Sequence, residues 1–328
     1  MKALALFSGG LDSMLAMKTI SDMGIEVVAL HMNTGFGGSK DKSDVMKRRA
    51  KIAGAEFVIV DVREEFIQKI LFDPKHGYGK YFNPCIDCHG YMFRIAKALM
   101  PKYEAQFIIT GEVLGQRPMS QRAEAIATVT QLAEDDEGLI LRPMCAKHMK
   151  PTKPEIEGWV DREKLYDIEG RSREVQLGLA KKFGWEDYQS PGGGCLLTEA
   201  YFSKKVEEFV EHDRLEVSDI AVLKHGRHFR LPDGAKLVIG RDKEDNEAIG
   251  KVQSPKYYFG EAQDISGPLS LLSKTASEDD KKLAAKLILT YTKLPSDKDG
   301  EVKLGEELIV ASAFENKEAT REFFVSVD

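Results

Sequence analysis

Short apolar stretches alternate with helix-forming stretches through the first half of the chain, and this alternation limits the possible folds more than any other feature. The apolar stretches cover residues 3–7, 26–31, 57–62, 106–110 and 139–141. Residues 43–53 carry helix formers and stop at Gly54, a residue type that often ends helices. Apolar strands separated by helices indicate βαβ units and a parallel sheet buried on both faces. We therefore predict an α/β fold with a Rossmann-like parallel sheet, in which ligands bind at the carboxyl ends of the strands.

A glycine turn, Ser8-Gly9-Gly10-Leu11-Asp12-Ser13, follows the first predicted strand. Its glycines let backbone N–H groups point into one concavity, and the start of the next helix favours anions. The serines add hydroxyl donors, and Asp12 could hold Mg²⁺ against a pyrophosphate. A plain strand-to-helix turn needs a glycine but not all of these residues. The turn is neither a dinucleotide fingerprint nor a Walker loop.

This motif resembles the PP-loop of the ATP-pyrophosphatase superfamily, whose members cleave ATP between the α and β phosphates. The resemblance implies a sheet of the adenine nucleotide alpha-hydrolase type, with ATP and Mg²⁺ as ligands. We expect the adenine to lie against the end of the second strand. The expected ATP-binding residues are Ser8, Gly9, Gly10, Leu11, Asp12, Ser13, His31, Met32, Asn33, Thr110, Gly111 and Gln116, with Asp12 also binding Mg²⁺.

Composition and charge exclude several classes of protein. The chain has 328 residues, of which 42% are hydrophobic and 30% charged, so two domains with real cores are expected. A net charge of -6 excludes a polybasic protein but not a local nucleic-acid site. No apolar run reaches the roughly 18 residues of a membrane helix. Four cysteines are too few for a secreted disulfide scaffold, and residues 1–7 are too short for a signal peptide, so we expect a cytoplasmic globular protein without membrane contact.

Three cysteines are candidates for sulfur or metal chemistry. Cys85 and Cys88 stand at the start of a helix predicted over residues 91–100, where thiol pKa values are lowered. Cys195 follows the glycine-rich residues 190–194 and could reach the pair. Three thiolates suit a 4Fe-4S cluster with one iron left open, whereas zinc would need a fourth ligand such as His89. The alternatives are a persulfide on one cysteine that another resolves, or scattered buried thiols, as we expect for Cys145.

A second motif, Thr110-Gly111-Glu112-Val113-Leu114-Gly115-Gln116 with Ser120-Gln121 behind it, follows the fourth predicted strand. It resembles the signature of the tRNA 4-thiouridine synthetase family, and the resemblance covers roughly residues 1–185. These synthetases commonly carry an RNA-binding THUMP region before the PP-loop, and with the motif at residue 8 we expect none here. Asn83-Pro84-Cys85 and the late cysteine are similar instead to cluster-containing tRNA thiolases and to 2-thiouridylases, which leaves the modified uridine open.

The last third of the chain is predicted to be a smaller, β-rich α+β domain. We expect domains at residues 1–190 and 215–328, joined by a linker and helix over 191–214 that carry the third cysteine. Strands are predicted at residues 220–224, 228–231, 235–239, 257–259, 301–310 and 322–327, with a hairpin turn at Pro232-Asp233-Gly234. Residues 236–246 resemble the RNA-binding domain of NFACT proteins.

Several cations are candidate RNA contacts. They are Arg117, Arg171, Arg173, Lys224, Arg227, Arg230, Lys236 and Arg241. Arg171 and Arg173 could lie near phosphate or RNA, or they could be two solvated arginines at a helix start. In the last third they cluster with an aromatic residue, Phe229, so that they could neutralise phosphates and stack a base. The alternative is a charged β surface, because residues 201–328 carry 20 basic and 25 acidic side chains.

Together these resemblances imply an ATP-dependent tRNA sulfurtransferase. A uridine carbonyl oxygen would be adenylated with loss of pyrophosphate, and sulfur would then displace AMP. Cys85, Cys88, Cys195 and Asp12 are the expected catalytic residues, and 4-thiouridine at tRNA position 8 is the favoured product. The expected partners are tRNA, a sulfur donor (sulfide or a persulfide carrier) and a second copy of the chain in a homodimer. The rival interpretations are 2-thiouridine formation, an ammonia-using PP-loop ligase for a small molecule, and an RNA adaptor without catalysis.

Overall fold

The computed structural model describes residues 1–38, 42–189 and 194–325. The chain divides into two compact units, Met1–Leu196 and Leu197–Asp328, which we call the N-terminal and C-terminal units. Residues 191–193 of the predicted linker lie outside the described residues. Within the described ranges, no helix is both long and apolar enough to cross a membrane.

The N-terminal unit is built on a five-stranded parallel sheet in the order β3-β2-β1-β4-β5. Its strands are β1 (Lys2–Leu6), β2 (Glu26–Asn33), β3 (Ala55–Asp61), β4 (Phe107–Thr110) and β5 (Ile140–Leu141). Every interior residue of β1 and every residue of β4 is buried, because helices cover both faces of the sheet. The α/β prediction, with its parallel Rossmann-like sheet, is confirmed.

Seven α-helices among the described residues connect and cover these strands. They are α1 (Leu11–Ser21), α2 (Ser43–Ile52), α3 (Arg63–Phe66), α4 (Cys85–Tyr103), α5 (Ala123–Leu132), α6 (Lys153–Ile156) and α7 (Glu174–Lys182), with a π-helical turn at Ile67–Leu71 and 3₁₀ turns at Ala146–His148 and Arg162–Lys164. One apolar cluster contains Ala3, Ala5 and Phe7 of the first strand and its extension, and another forms around Leu11 and Leu15 of α1.

The strand order places the functional edge of the sheet. The chain runs outward from β1 through β2 to β3, then crosses to the other side of β1 and continues with β4. The order therefore reverses between β1 and β4, and the segments that follow these two strands meet at the same edge. Crevices at such reversal points are where open α/β sheets bind their ligands.

The C-terminal unit contains a six-stranded antiparallel sheet in the order β11-β10-β8-β9-β7-β6. Its strands are β6 (Arg227–Arg230), β7 (Lys236–Ile239), β8 (Tyr257–Ala262), β9 (Ser270–Ser273), β10 (Asp299–Leu304) and β11 (Glu307–Ser312). Its α-helices are α8 (Ala200–His212), α9 (Val217–Lys224), α10 (Lys243–Ile249) and α11 (Glu278–Thr290), and a 3₁₀ turn covers Glu318–Phe323. The buried side of α11 packs with Leu237 and Leu272 of the sheet in one apolar core.

Three strand predictions in this unit are wrong. Residues 220–224 belong to α9, because Glu216 and Asp219 form a capping box that begins a helix there. Residues 301–310 form two strands rather than one, since Gly305 has φ 62° and turns the chain between β10 and β11. Of the strand predicted at 322–327, the described part ends a 3₁₀ turn and makes a single bridge from Phe324 to Phe229, while residues 326–327 lie outside the described ranges.

Candidate functional site

The PP-loop (residues 8–13) ends β1 and begins α1. Gly9 has φ 80°, a left-handed conformation that other residue types rarely adopt, and Gly10 is the N-cap of α1 without any side-chain cap. The first N–H groups of a helix have no partner inside the helix, so they remain available to an anion here. Ser13 donates its hydroxyl to the Gly10 carbonyl over 2.7 Å, which holds the turn closed.

Gly111 lies directly against the PP-loop. A Cβ atom at this position would come within 2.5 Å of the carbonyl carbon of Asp12 and the Cα of Ser13. Only glycine therefore lets the segment after β4 pack on the start of α1. Thr110, one residue earlier, is buried at the end of β4. The structure thus brings Gly111 to the PP-loop, with Thr110 directly before it.

Asp12 is the centre of a small polar network. Its Oδ2 accepts a hydrogen bond from Gln116 Nε2 over 2.8 Å and lies 3.6 Å from Arg173 Nη2. Gln176 of α7 in turn donates to Gln116 Oε1 over 2.9 Å. The second carboxylate oxygen, Oδ1, is buried and has no hydrogen-bond partner among the described residues. Arg173, a predicted RNA contact, is therefore placed at the PP-loop.

Arg49 and Asp187 hold the PP-loop from behind, and sequence reasoning missed both. Arg49 donates from Nη1 to the Gly9 carbonyl over 3.1 Å and from Nη2 to Asp187 Oδ1 over 2.8 Å. The backbone N–H of Gln189 also donates to the Gly9 carbonyl, over 3.3 Å. Two guanidinium groups, those of Arg48 and Arg49, hold the pKa of Asp187 below its usual range. The adjacent arginines on α2 were the signal available in the sequence.

The predicted adenine-binding residues lie at the end of β2. The His31 ring stacks on Phe57 with 6.4 Å between ring centroids, and its Nδ1 lies 3.2 Å from the Phe7 carbonyl oxygen. Burial lowers the pKa of His31, so the ring is neutral at pH 7. Met32 is buried, and Asn33 accepts a hydrogen bond from the Gly35 amide over 3.0 Å. These groups lie on β2, the strand beside β1, as the prediction requires.

The three candidate cysteines converge within the N-terminal unit. Cys85 is the first residue of α4, and its sulfur accepts a hydrogen bond from Asn83 Nδ2 over 3.1 Å. Cys195 forms a backbone bridge with Gly37, beyond the end of β2. Burial raises the pKa of the Cys88 thiol well above its usual range, and the neighbouring Cys195 and Cys85 raise it further. The expected lowering of the pKa at this helix start is wrong for Cys88, because the cost of burying a thiolate exceeds the effect of the helix.

In the part of the chain that the structure describes, no three Cys, His, Asp or Glu side chains are arranged as a metal site. Cys145 is a buried thiol whose pKa is raised by burial, in line with the expectation for this residue.

A buried ion network links the cysteine helix to the PP-loop side of the sheet. Glu112 accepts from Arg142 Nε over 2.9 Å, and its other oxygen lies 2.9 Å from His89 Nδ1. Burial opposes ionisation, but Arg142 and His89 outweigh it and hold the pKa of Glu112 below its usual range. Glu112 follows Gly111, and His89 follows Cys88. The network was missed because its members are far apart in the sequence.

Among the predicted RNA contacts of the C-terminal unit, several have their charge neutralised by neighbours. Lys236 is 2% exposed and pairs with Glu208, which also pairs with Arg230. Burial lowers the pKa of Lys236 to about 8 despite that pairing. Arg241 is held by Asp245 through two hydrogen bonds of 2.6 and 3.2 Å. In this conformation Lys236 does not reach a surface where a phosphate could bind. Lys224 is the last residue of α9.

A cationic cleft of about 340 Å³ opens beside β6 and β7 of the C-terminal unit. Its floor is Tyr291, over which lie the Arg227 guanidinium at 4.7 Å and the Lys317 ammonium at 5.5 Å from the ring centroid. Neither cation has a carboxylate partner within residues 1–38, 42–189 and 194–325. Two further cations, Lys243 and Arg241, and one carboxylate, Asp242, also line the cleft. Arg117 and Arg171 of the N-terminal unit are exposed.

Comparison with known families gives the identity of the N-terminal part. Residues 1–175, more than half of the chain, match the model of the family described as thiamine biosynthesis protein (ThiI). The chain belongs to the ThiI family. Residues 226–323 match the model described as the NFACT protein RNA binding domain. The resemblance of the first half to the 4-thiouridine synthetase family and that of residues 236–246 to the NFACT RNA-binding domain are thereby confirmed.

Individual relatives of this ThiI-family chain match only part of it. The tRNA-specific 2-thiouridylase MnmA of Petrotoga mobilis is 30% identical over 131 residues, which are 34% of this chain and 35% of that protein. The MnmA protein of Mycobacterium bovis is 35% identical over 102 residues, 27% of this chain and 28% of that one. The chain thus spans about a third of the length of these curated relatives. A 4-thiouridine synthetase solved with RNA and bound ATP has a TM-score of 0.40 at 18% identity, covering 68% of this chain and 52% of that one.

Proposed function

We propose that this protein is an ATP-dependent tRNA sulfurtransferase. The observation that carries the proposal is the pair of consecutive residues Gly111 and Glu112. Gly111 packs on the PP-loop, while Glu112 contacts His89, the neighbour of Cys88, over 2.9 Å. One short segment thus contacts both the PP-loop and the residue next to Cys88, which supports an enzyme that activates a carbonyl and then delivers sulfur.

The PP-loop supplies the groups for ATP. Backbone N–H groups at the start of α1 would bind the phosphates, and the end of β2 around His31, Met32 and Asn33 would bind the adenine. Asp12 fits a Mg²⁺ ion, because its Oδ1 is a buried, unpartnered carboxylate oxygen, and Mg²⁺ prefers such ligands. The remaining proposed contacts are Ser8, Gly9, Gly10, Leu11, Ser13, Thr110, Gly111 and Gln116.

The reaction has two displacements. A uridine carbonyl oxygen attacks the α phosphorus of ATP, and the bond to the β-phosphate oxygen breaks, so that pyrophosphate leaves. A sulfur nucleophile then attacks the carbon of the adenylated carbonyl group, and AMP leaves as the thiocarbonyl forms. The loop N–H groups stabilise the negative charge that develops on the departing pyrophosphate.

Cys85, Cys88 and Cys195 are the proposed sulfur-handling residues. The effect of Cys195 and Cys85 on the pKa of Cys88 supports a shared site for the three thiols. Thiolates are the ligands that iron–sulfur clusters use, so the residue types suit a 4Fe-4S cluster, but the described side chains are not arranged as a metal site. When bound, such a cluster would supply the coordination site from which sulfur is transferred. A persulfide on one cysteine, resolved by another, is the alternative use of the same residues.

The proposed partner is tRNA. The family description of the C-terminal residues as an RNA-binding domain and the cationic cleft around Arg227 and Lys317 support it. Exposed Arg117 and Arg171 are proposed contacts in the N-terminal unit. The sulfur donor, either sulfide or a persulfide carrier, stays a prediction. A homodimer also stays a prediction, which light scattering on the purified chain would test.

Incubation of unmodified tRNA with protein, ATP, Mg²⁺ and sulfide tests the function, with nucleosides analysed by mass spectrometry. We expect 4-thiouridine together with AMP and pyrophosphate. Formation of 2-thiouridine is the second candidate, favoured by the 30–35% identity to 2-thiouridylases. AMP release without RNA, and no thiolated nucleoside, would instead indicate a ligase for a small molecule.

Iron and acid-labile sulfide decide the sulfur route. We would measure both on anaerobically purified wild type and on the Cys85→Ala, Cys88→Ala and Cys195→Ala variants. A cluster predicts about four irons per chain, lost in all three variants. Iron-free wild type that thiolates tRNA when a persulfide carrier, which already holds oxidised sulfur, replaces sulfide would favour the persulfide route, with Cys145→Ala as a matched variant of unchanged activity.

A further inference from the structure

Arg173 is the cation that meets the PP-loop carboxylate. Its Nη2 lies 3.6 Å from Asp12 Oδ2, and the two side chains are only 12% and 17% exposed. Arg173 is therefore much less exposed to solvent than the nearby Arg171, which is an exposed residue. An arginine withdrawn from solvent to this extent is suited to a bound ligand or a structural ion pair rather than to a passing surface contact.

The ion pair leaves polar atoms on both partners unused. Asp12 Oδ1 and Arg173 Nε are buried, and neither has a hydrogen-bond partner among the described residues. A buried polar atom without a partner is costly, and native proteins rarely keep one without a functional reason. A structural pair would be expected to satisfy both groups. The unused oxygen suits a cation and the unused N–H suits an anion, which together describe a magnesium-bound phosphate.

Arg173 is also fixed in place by a chain of amides. Gln176, fully buried and one turn further along α7, donates to Gln116 Oε1 over 2.9 Å. Gln116 then donates to Asp12 Oδ2 over 2.8 Å. Through these two bonds the start of α7 is fastened to the first turn of α1. The guanidinium is thus held at the PP-loop before any nucleotide arrives.

We propose that Arg173 binds the pyrophosphate end of ATP. When Mg²⁺ occupies Asp12, the guanidinium exchanges the carboxylate for phosphate oxygens, which its planar fork can contact through two hydrogen bonds. It then stabilises the charge that accumulates on pyrophosphate as the α–β bond breaks. This inference rests on the proposed function and adds to it the residue that recognises the leaving group.

Nucleotide binding without RNA tests the inference. Calorimetry on the full chain would compare ATP, pyrophosphate and AMP, each with Mg²⁺, for wild type, Arg173→Gln, Arg173→Lys and a control variant, Arg94→Gln, at an exposed arginine of α4. We expect Arg173→Gln to bind ATP and pyrophosphate roughly tenfold or more weakly, with AMP unchanged, since a hydrogen bond to a charged group is lost. Arg173→Lys should recover part of that loss, because the charge remains. Arg94→Gln should bind all three ligands as wild type does.

The outcomes separate this inference from the proposed function. Wild-type affinity for ATP in Arg173→Gln, or an equal loss for AMP, would overturn the role of Arg173 and leave the function standing. A loss of tRNA affinity without a loss of ATP affinity in Arg173→Gln would return this residue to RNA binding. A wild-type protein that binds no ATP would overturn both. Thermal unfolding of each variant identifies any that fails to fold. If Arg173→Gln does not fold, the affinities of Arg173→Lys for the three ligands still test the inference.

Discussion

Gly111 follows β4 and packs against the PP-loop, which follows β1. The absence of a side chain at Gly111 determines how closely these two segments approach. Its missing Cβ would lie 2.5 Å from backbone atoms of Asp12 and Ser13, which cannot rotate away as a side chain could. We expect Gly111→Ala to destabilise the N-terminal unit by about 1–3 kcal/mol through overpacking. The displaced N–H groups should weaken ATP binding by at least roughly tenfold. Calorimetry and thermal unfolding measure the two effects.

Gly178 is the matched control for that substitution. It lies inside α7, and apart from the backbone of that helix no atom of the described residues lies within 4 Å of the position of its Cβ. Alanine is a better helix former than glycine, so Gly178→Ala should stabilise the unit by about 0.5–1 kcal/mol and leave ATP affinity unchanged. Equal unfolding temperatures for the two variants would show that the close approach at Gly111 is not as tight as described.

Glu112 contributes a pH-dependent part of the stability. Its pKa is held below the ordinary value of 4.5 in the folded protein, mainly by Arg142 against the cost of burial. A lowered folded pKa stabilises the protein above pH 4.5, and this contribution disappears as the pH falls through the folded pKa. Glu112→Gln leaves Arg142, which is 4% exposed, without its counter-charge, and should cost about 3–5 kcal/mol at pH 7.

Urea unfolding followed by tryptophan fluorescence checks this prediction. Both tryptophans of the chain, Trp159 and Trp185, belong to the N-terminal unit and report on its unfolding alone. The difference in unfolding free energy between wild type and Glu112→Gln should narrow below pH 4.5. A difference that stays constant from pH 7 to pH 3.5 would contradict the assigned titration.

The positions of candidate site residues were predictable where those residues are contiguous in the sequence. The PP-loop and Gly111 could be read from the sequence, because a turn and the residue after a strand take their position from local structure. Arg173 could not, since its approach to Asp12 depends on how α7 packs against α1. The Glu112–His89–Arg142 network has the same origin, as its members lie on three separate elements. Tertiary packing, rather than spacing along the chain, decides which charges meet.

At the scale of elements, α4 carries the two first cysteines into the site. Burial, followed by the charges of Cys195 and Cys85, raises the pKa of Cys88 above its ordinary value of 9.0. In iron-free protein, alkylation of Cys88 should therefore be slower at pH 8 than that of an ordinary thiol and should rise steeply only at higher pH. Cys195→Ser removes one like charge and should move the alkylation profile of Cys88 to lower pH.

Mass spectrometry of iodoacetamide-labelled peptides measures each thiol separately. Cys145→Ser serves as the control, because Cys145 makes no contribution to the pKa of Cys88. An unchanged profile in Cys195→Ser would mean that Cys195 does not approach Cys88. Such a result would also remove the support that the three-cysteine site takes from the structure.

The parallel strands of the N-terminal unit were easier to predict than the antiparallel strands of the C-terminal one. Strands buried on both faces are continuous apolar runs, and the residues of β4 are an example. Strand β11 exposes Leu308 and Val310, so its apolar residues do not follow burial. Residues 217–224 are apolar enough for a strand, and only the capping box at Glu216 marks them as a helix. Local caps and turns outweighed apolar content in these cases.

On the scale of the whole molecule, each unit has a sheet and an apolar core of its own. Helix α8 belongs with the second core, since Glu208 pairs with Lys236 of β7 and Arg230 of β6. We expect residues 1–196 alone to fold and to bind ATP with the affinity of the full chain. Circular dichroism and calorimetry check this expectation. A truncated chain that folds but binds no ATP would show that the second unit contributes to nucleotide binding.

The C-terminal unit should supply electrostatic affinity for tRNA through its cationic cleft. Each phosphate contact releases counterions, and its loss lowers the slope of log affinity against log salt by about one. Arg227→Gln combined with Lys317→Gln should thus lower the slope by roughly two and leave ATP affinity unchanged. Lys282→Gln combined with Arg321→Gln removes the same charge from exposed positions that pair with Asp279 and Glu318. Filter binding across a salt series compares the pairs. Equal slopes for both double variants would mean that net charge, and not the cleft, governs tRNA binding.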